Sequence, residues 1–254
     1  MQALIFDVDG TLADTERDGH RVAFNLAFAE AGLDWVWDVP LYGQLLAVTG
    51  GKERILHYIR QYRPGGVPAG DLDAFIRDLH QAKTRHYVRL MADPGIPPRP
   101  GVMRLLQEAR QAGVRLAIAT TTTPANVTSL LTHSFGPEVE DWFEVIGAGD
   151  VVPAKKPAPD IYQYVLQHMG LDPGQALAVE DSDNGFRSAA AAGLKTLVTV
   201  TDYTRNQDFT GALAVFEHLG DPGNEPAQLA GPPVELNGGG LSLQHLQQLF
   251  SRGT

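Results

Sequence analysis

Gln2-Ala3-Leu4-Ile5-Phe6-Asp7-Val8-Asp9-Gly10-Thr11-Leu12 decides how this 254-residue chain is read. A short apolar run ends in two aspartates one residue apart, and a glycine turn follows at once. Side chains at i and i+2 of a strand share a face. Asp7 and Asp9 therefore face one site at the strand tip, where open α/β sheets place their chemistry. Two carboxylates held so close repel each other and rarely occur without a cation. The plain alternative is a strand followed by an Asx-rich turn. We read the stretch as a Mg²⁺ site with an aspartate nucleophile.

Working outward, the pattern changes twice. Residues 15–32 carry Val22, Ala23, Leu26 and Ala27 at helical spacing. Helical patterns continue over 40–62 and 71–91, with a Pro/Gly breaker at 64–70 and a second at 93–101. Beyond the second breaker, helices and apolar strands alternate. Helices are expected at 101–113, 124–135, 159–170 and 184–192. Strands are expected at 114–120, 143–146, 176–179 and 196–200, with 213–216 as a final edge strand. Such alternation predicts a parallel sheet with right-handed crossovers. The expected fold is an α/β, Rossmann-like core built from 1–14 and 98–220. An all-helical cap spans 15–97 and is inserted after the first strand. Residues 221–254 form a C-terminal extension, Gly/Pro-rich over 220–240 and helical over 241–250.

Three later stretches complete a constellation with Asp7-Val8-Asp9-Gly10-Thr11, which looks like the DxDxT motif of the haloacid dehalogenase superfamily. Thr120 ends a strand and opens a four-threonine run before Pro124, so it is either an N-cap residue or a phosphate ligand at a sheet edge. It resembles the superfamily's second motif. Lys155-Lys156-Pro157-Ala158-Pro159-Asp160 resembles the third, with Lys156 assigned the role because it directly precedes the proline. Val179-Glu180-Asp181-Ser182-Asp183-Asn184 resembles the fourth. The resemblance implies Asp7 as nucleophile, Asp9 as acid/base, Thr120 and Lys156 on the phosphoryl oxygens, and a Mg²⁺ held by Asp7, Asp9 (through its backbone carbonyl), Glu180 and Asp181.

The cap adds a hint of substrate. From Lys52 to Arg89 there are eight Lys/Arg against four Asp/Glu, so this segment is net +4 in a chain of net charge −10. That is either a solvated helix face or a surface for an anionic small molecule. Thr49-Gly50-Gly51-Lys52-Glu53-Arg54 sets glycines beside two cations, and glycines let backbone N–H groups approach an anion. Ala13-Asp14-Thr15-Glu16, Trp35-Val36-Trp37 and Ala119 to Asn126 further resemble the CbbY family of xylulose-1,5-bisphosphate phosphatases, which remove a Rubisco inhibitor alongside the Calvin cycle. That resemblance implies Glu16 on a sugar hydroxyl. It places Gly50, Gly51, Lys52, Glu53, Arg54, Lys83 and Thr84 at a distal phosphate, and Thr121 and Asn126 beside the substrate. Arg17-Asp18-Gly19, between Glu16 and His20, is one residue longer than that pattern. A sugar-phosphate mutase of the β-phosphoglucomutase type shares core and cap and is the alternative. A receiver domain, which also combines acidic residues with Thr and Lys, is too short for the long cap.

The acidic balance argues against nucleic-acid or anionic-membrane partners. No apolar run approaches the roughly 20 residues needed to cross a bilayer. Zero cysteines exclude disulfides and thiolate chemistry. The expectation is a monomeric enzyme acting on a phosphorylated sugar. It would be cytoplasmic, or in a plastid stroma if a transit peptide has been removed.

Overall fold

The computed structural model describes residues 1–63 and 70–252. Most of the expected breaker at 64–70 lies outside them. The described residues hold one seven-stranded sheet in the order β3-β2-β1-β4-β5-β6-β7. The strands are β1 (Ala3–Phe6), β2 (Arg115–Ala119), β3 (Phe143–Gly147), β4 (Ala176–Glu180), β5 (Lys195–Thr199), β6 (Ala214–Phe216) and β7 (Gln228–Ala230). All pairs are parallel except β6 with β7.

The period of two is visible in the packing. Leu4 and Phe6 enter one core cluster, Ala3 and Ile5 the other. Leu116, Ile118, Leu177 and Val179 join the first pair, while Ala117, Ala119, Ala176 and Ala178 join the second. Large side chains on one face meet α5 (Val102–Gln111) and α9 (Leu243–Arg252). Alanines on the other face let α7 (Asp160–Met169) and α8 (Asp183–Ala191) pack closely. Each fully buried Leu, Ile or Phe contributes about 1.5–3 kcal/mol. This makes β1, with all four residues buried, the centre of the core.

Between β1 and β2 lie only helices among the described residues: α1 (Arg21–Glu30), α2 (Val39–Leu45), α3 (Gly51–Tyr62), α4 (Leu72–Ala92) and then α5. The first four form the cap around Phe24, Phe28, Trp35, Trp37, Tyr42 and Tyr58. The Trp-x-Trp pair is thus the cap's own core. Its backbone is held by Asn25, which accepts from Trp37 N at 2.8 Å and donates to Trp37 O at 2.9 Å.

Three elements differ from expectation. The helix over 40–62 is two helices, because Gly50 adopts φ +96° and breaks the run between α2 and α3. The segment 213–216 is not the edge strand. Gln228–Ala230, inside the Gly/Pro-rich stretch, pairs outside it. The helix expected over 15–32 opens with a π-turn over Glu16–His20, closed by Arg21 N–H on Glu16 O, before α1 begins.

Candidate active site

The register decides the site. Phe6 sits level with Ile118 on one side and Val179 on the other. The next residue on each strand is then Asp7, Ala119 and Glu180. Asp7 N–H donates to Val179 O at 3.0 Å, which ties the two tips together. Chain order jumps from one side of β1 to the other between β3 and β4, so the crevice of the doubly wound sheet opens above these tips.

Lys156 Nζ lies 2.7 Å from Asp7 Oδ1 and 2.5 Å from Glu180 Oε1. Tyr162 OH donates to the same Glu180 oxygen at 2.5 Å. Burial alone would lower the Lys156 pKa, but the Asp7 and Glu180 carboxylates outweigh it and hold the ammonium charged. Asp7 is pushed up to about 7 by burial, against the pull of Lys156 and with repulsion from Glu180 and Asp9. Burial, Asp7 and Glu180 raise Asp181 well above the carboxylate range.

Those three carboxylates place oxygens within 4.8 Å of one another. One ammonium, Lys156, faces two of them, Asp7 and Glu180. Such a donor set fits a hard divalent cation, which reverses the repulsion that raises Asp7 and Asp181. Asp7, Glu180 and Asp181 are all placed to hold it. Glu180 Oε1 also accepts from Lys156 and Tyr162, so the same carboxylate helps aim the ammonium. Gly10, at φ +88°, gives Asp181 room, because a Cβ there would stand 2.4 Å from its Oδ2.

Asp9 behaves differently from Asp7. Thr15 Oγ1 donates to its Oδ1 at 2.5 Å, and His20 Nε2 lies 2.7 Å from the same atom. Lys83 Nζ, from the cap, reaches His20 Nδ1 at 2.7 Å. An ammonium can only donate, so Nδ1 accepts and the ring proton sits on Nε2, pointing at Asp9. Burial raises the Asp9 pKa, but His20 and Thr15 outweigh it and bring it down to about 2. In this conformation Asp9 is a carboxylate, ready to take a proton. It is not the neutral acid that the sequence reading requires at one point of the cycle.

The cap residues are largely paired within the protein. Arg54, buried, donates to Tyr42 OH at 2.9 Å, and Tyr42 OH donates to Glu16 Oε2 at 2.5 Å. Lys52 Nζ does not face inward. It pairs with Asp150 Oδ2 at 2.6 Å, and Lys155 holds the other oxygen of Asp150 at 2.6 Å. The Glu53 carboxylate curls back over Gly50, where a Cβ would stand 2.1 Å from its Oε2. Thr84 lies off the site. Its hydroxyl donates to His80 O on its own helix at 3.0 Å.

A cleft of about 880 Å³ runs between core and cap, with Asp7, Asp9, Glu16, Arg54, Thr120, Thr121, Lys156 and Asp181 on its walls. Behind it a cavity of about 40 Å³ is lined by Gly50, Gly51, Arg54, His80, Lys83, Thr121, Thr123 and Asn126. Two acceptors there, Thr123 Oγ1 and Asn126 Oδ1, are buried without a partner among the described residues. His80 is held down to about 3, mainly by burial and then by Lys83 and Lys52, and is neutral.

Sequence reasoning missed His20, Tyr42, Tyr162 and Arg99. Arg99 is buried in the Pro-rich breaker. It donates to the carbonyls of Gly10, Thr199 (2.9 Å), Val200 (2.6 Å) and Glu217 (2.7 Å), and its Nε sits 3.2 Å from Asp14. It pins the two cap linkers to the sheet edge. An arginine amid three prolines was its only signal. Asn184, at the end of the fourth stretch, donates to Ala47 O of the cap at 3.3 Å.

Comparison with known proteins agrees with this geometry. The family described as haloacid dehalogenase-like hydrolase matches residues 1–193. The plasmid-borne protein CbbY of Cupriavidus necator is 53% identical over 222 residues, covering 87% of each chain. CbbY from Rhodobacter sphaeroides, solved with phosphate, superposes with a TM-score of 0.81 at 46% identity, covering 86% of this chain and 94% of that one. An Asp-to-Asn mutant of that protein, solved with xylulose-(1,5)bisphosphate, gives a TM-score of 0.82 at 45% identity, covering 88% and 96%. The chain belongs to the haloacid dehalogenase-like hydrolases and, within them, to the CbbY family of phosphatases.

Proposed function

We propose that the protein is a Mg²⁺-dependent phosphatase that works through an aspartyl-phosphate on Asp7 and removes a phosphate from xylulose-1,5-bisphosphate. One observation carries the mechanism: Asp7 is a buried carboxylate held at 2.7 Å by a buried ammonium, at the mouth of a cleft walled by Thr120. A carboxylate attacks a phosphate dianion only where the mutual repulsion is neutralised. Lys156 supplies one positive charge. A Mg²⁺ held by Asp7, Glu180, Asp181 and the Asp9 backbone carbonyl would supply the rest of the charge neutralisation.

Asp7 attacks phosphorus in line and the leaving alkoxide takes a proton from Asp9. Asp9 must therefore gain a proton before that step and lose it after. Its Oδ1 contact with the His20 ring, backed by Lys83, provides a path by which the charge on Asp9 responds to what enters from the cap. In the second half-reaction the ionised Asp9, as seen here, takes a proton from the water that hydrolyses the acyl phosphate.

The substrate reading is supported by the relative that binds xylulose-(1,5)bisphosphate at 45% identity and by the cap. Glu16 and Asn126 offer acceptors to sugar hydroxyls, while Arg54, Lys83 and the Gly50-Gly51 turn gather around the smaller cavity, whose lining does not include Asp7. The test is phosphate release with Mg²⁺ from xylulose-1,5-bisphosphate and ribulose-1,5-bisphosphate side by side. A strong preference for the xylulose compound is expected. Equal, weak turnover of both, with faster hydrolysis of a hexose phosphate, overturns the substrate assignment and leaves the nucleophile standing.

A further inference from the structure

The recognition trio of Glu16, Tyr42 and Arg54 belongs to the cap side of the cleft, yet one residue of the core touches it. Tyr203 lies in the turn after β5. That turn is rigid: Thr201 N donates to Thr204 Oγ1 at 2.8 Å, and Arg99 binds the carbonyls of Thr199 and Val200 as well as that of Gly10 beside Asp7. The Tyr203 ring therefore has a fixed seat relative to the catalytic loop.

From that seat the ring lies against cap helix α2. A Cβ on Gly43 would stand 3.0 Å from its Cδ1 and 3.2 Å from its Cε1, so any side chain there would push the ring from this seat by a few tenths of an ångström. The same ring meets Tyr42 edge-on, with centroids 6.2 Å apart at 63°. Tyr42 in turn donates to Glu16 and accepts from Arg54. The Tyr203 hydroxyl is buried and has no partner among the described residues. The contact is thus one of ring shape rather than of hydrogen bonding.

We infer that Tyr203 is a positioning residue: its ring, seated on Gly43, sets the Tyr42 hydroxyl and through it aims Glu16 at a sugar hydroxyl and Arg54 at the distal phosphate of the substrate when the cap is closed. The inference rests on the reading of Glu16 and Arg54 as substrate ligands. It makes sugar recognition conditional on closure, because the aiming contact comes from the core and the ligands come from the cap. Binding energy gathered far from the reacting atoms then orients the substrate.

The experiment compares KM and kcat of wild type, Tyr203→Ala, Tyr203→Phe and Gly43→Val on xylulose-1,5-bisphosphate and on p-nitrophenyl phosphate, which has no sugar hydroxyl. Thermal melts check folding. Tyr203→Ala and Gly43→Val should raise KM for the bisphosphate about tenfold, with kcat changed less than about threefold and a much smaller effect on p-nitrophenyl phosphate. Tyr203→Phe should restore wild-type KM. A wild-type KM in Tyr203→Ala overturns the proposal, as does an equal loss on both substrates, which is what a purely structural role gives. Failure of Tyr203→Phe to rescue also overturns it. If wild type does not hydrolyse xylulose-1,5-bisphosphate, the substrate reading fails instead, and the same ratios are required on whichever sugar phosphate it does hydrolyse.

Discussion

The two walls of the cleft are built by different rules. On the core wall, Asp7, Thr120 and Asp181 converge because adjacent parallel strands end level, and Lys156 joins them from the turn ahead of α7. On the cap wall, the cations were legible as a cluster but their partners were not. Lys52 holds Asp150, 98 residues away, and Lys83 holds His20, 63 residues away. A strand tip fixes both position and direction of a side chain. A helix face fixes neither the rotamer nor the partner of a long cation. The core wall therefore carries the chemistry in a rigid frame, and the cap wall carries recognition in a set of internal pairs that substrate must join or replace.

Substitutions that separate these roles follow in order of size. Asp7→Asn removes the nucleophile while keeping its shape, and kcat should fall by at least about 10⁴-fold with KM little changed. A residual rate within tenfold of wild type in steady-state assays would break the core half of the comparison. Lys156→Met leaves Asp7 and Glu180 facing each other without their ammonium, so a loss of roughly 10²–10³ in kcat is expected, and Mg²⁺ titration should show no compensating gain. Arg54→Ala acts on the other wall. It should raise KM for a bisphosphate about 10- to 100-fold and lower kcat less; a kcat effect larger than the KM effect would place Arg54 in the chemistry.

His80 supplies a pH test of the cap alone. Burial depresses its pKa to about 3, with Lys83, Lys52 and His20 adding to the shift and Asp150 opposing it. Between about pH 3 and its unfolded value near 6.5, the unfolded chain binds a proton that the folded chain refuses. Stability is therefore full above that range and falls as pH drops through it. At pH 5 linkage sets the loss at about 2 kcal/mol. Denaturant melts of His80→Asn should show a flatter acid limb by about that amount, and parallel curves would remove His80 from the account. The smallest effect belongs to Asp150. Its carboxylate is exposed, and hydrogen bonds from Lys155 and then Lys52 lower its pKa to about 2, so this cap-to-core tie persists across physiological pH. Asp150→Asn should change KM by less than about threefold, and added salt should erase the difference.

How much was legible follows the same division. The unbroken apolar run Ala3-Leu4-Ile5-Phe6 marked the strand, and Asp7-Val8-Asp9 marked its tip, because both are local signals. Val102, Leu105, Leu106 and Ala109 marked the buried face of α5 for the same reason. What escaped depends on tertiary placement. The three-residue β7 is too short to carry a pattern and exists because β6 offers it a free edge. Gly50 hides a break between α2 and α3, since glycine is tolerated within helices as well as between them. Thr84 looked like a ligand by its neighbour Lys83, yet one step along a helix turns a side chain by about 100° and leaves it on its own backbone. Arg99 and Tyr162 act through carbonyls and a carboxylate far away in sequence, and nothing local announces them.

The most direct test of the central claim is where the phosphoryl group goes. Enzyme and substrate are mixed with Mg²⁺, quenched within one turnover, and the protein is mapped by mass spectrometry after borohydride reduction. Homoserine at position 7, the mark borohydride leaves where an aspartyl-phosphate stood, found in wild type and absent in Asp7→Asn, is the result this account requires. A quenched enzyme carrying no homoserine at wild-type turnover, or one carrying it in place of Asp9 or Asp181, would contradict it.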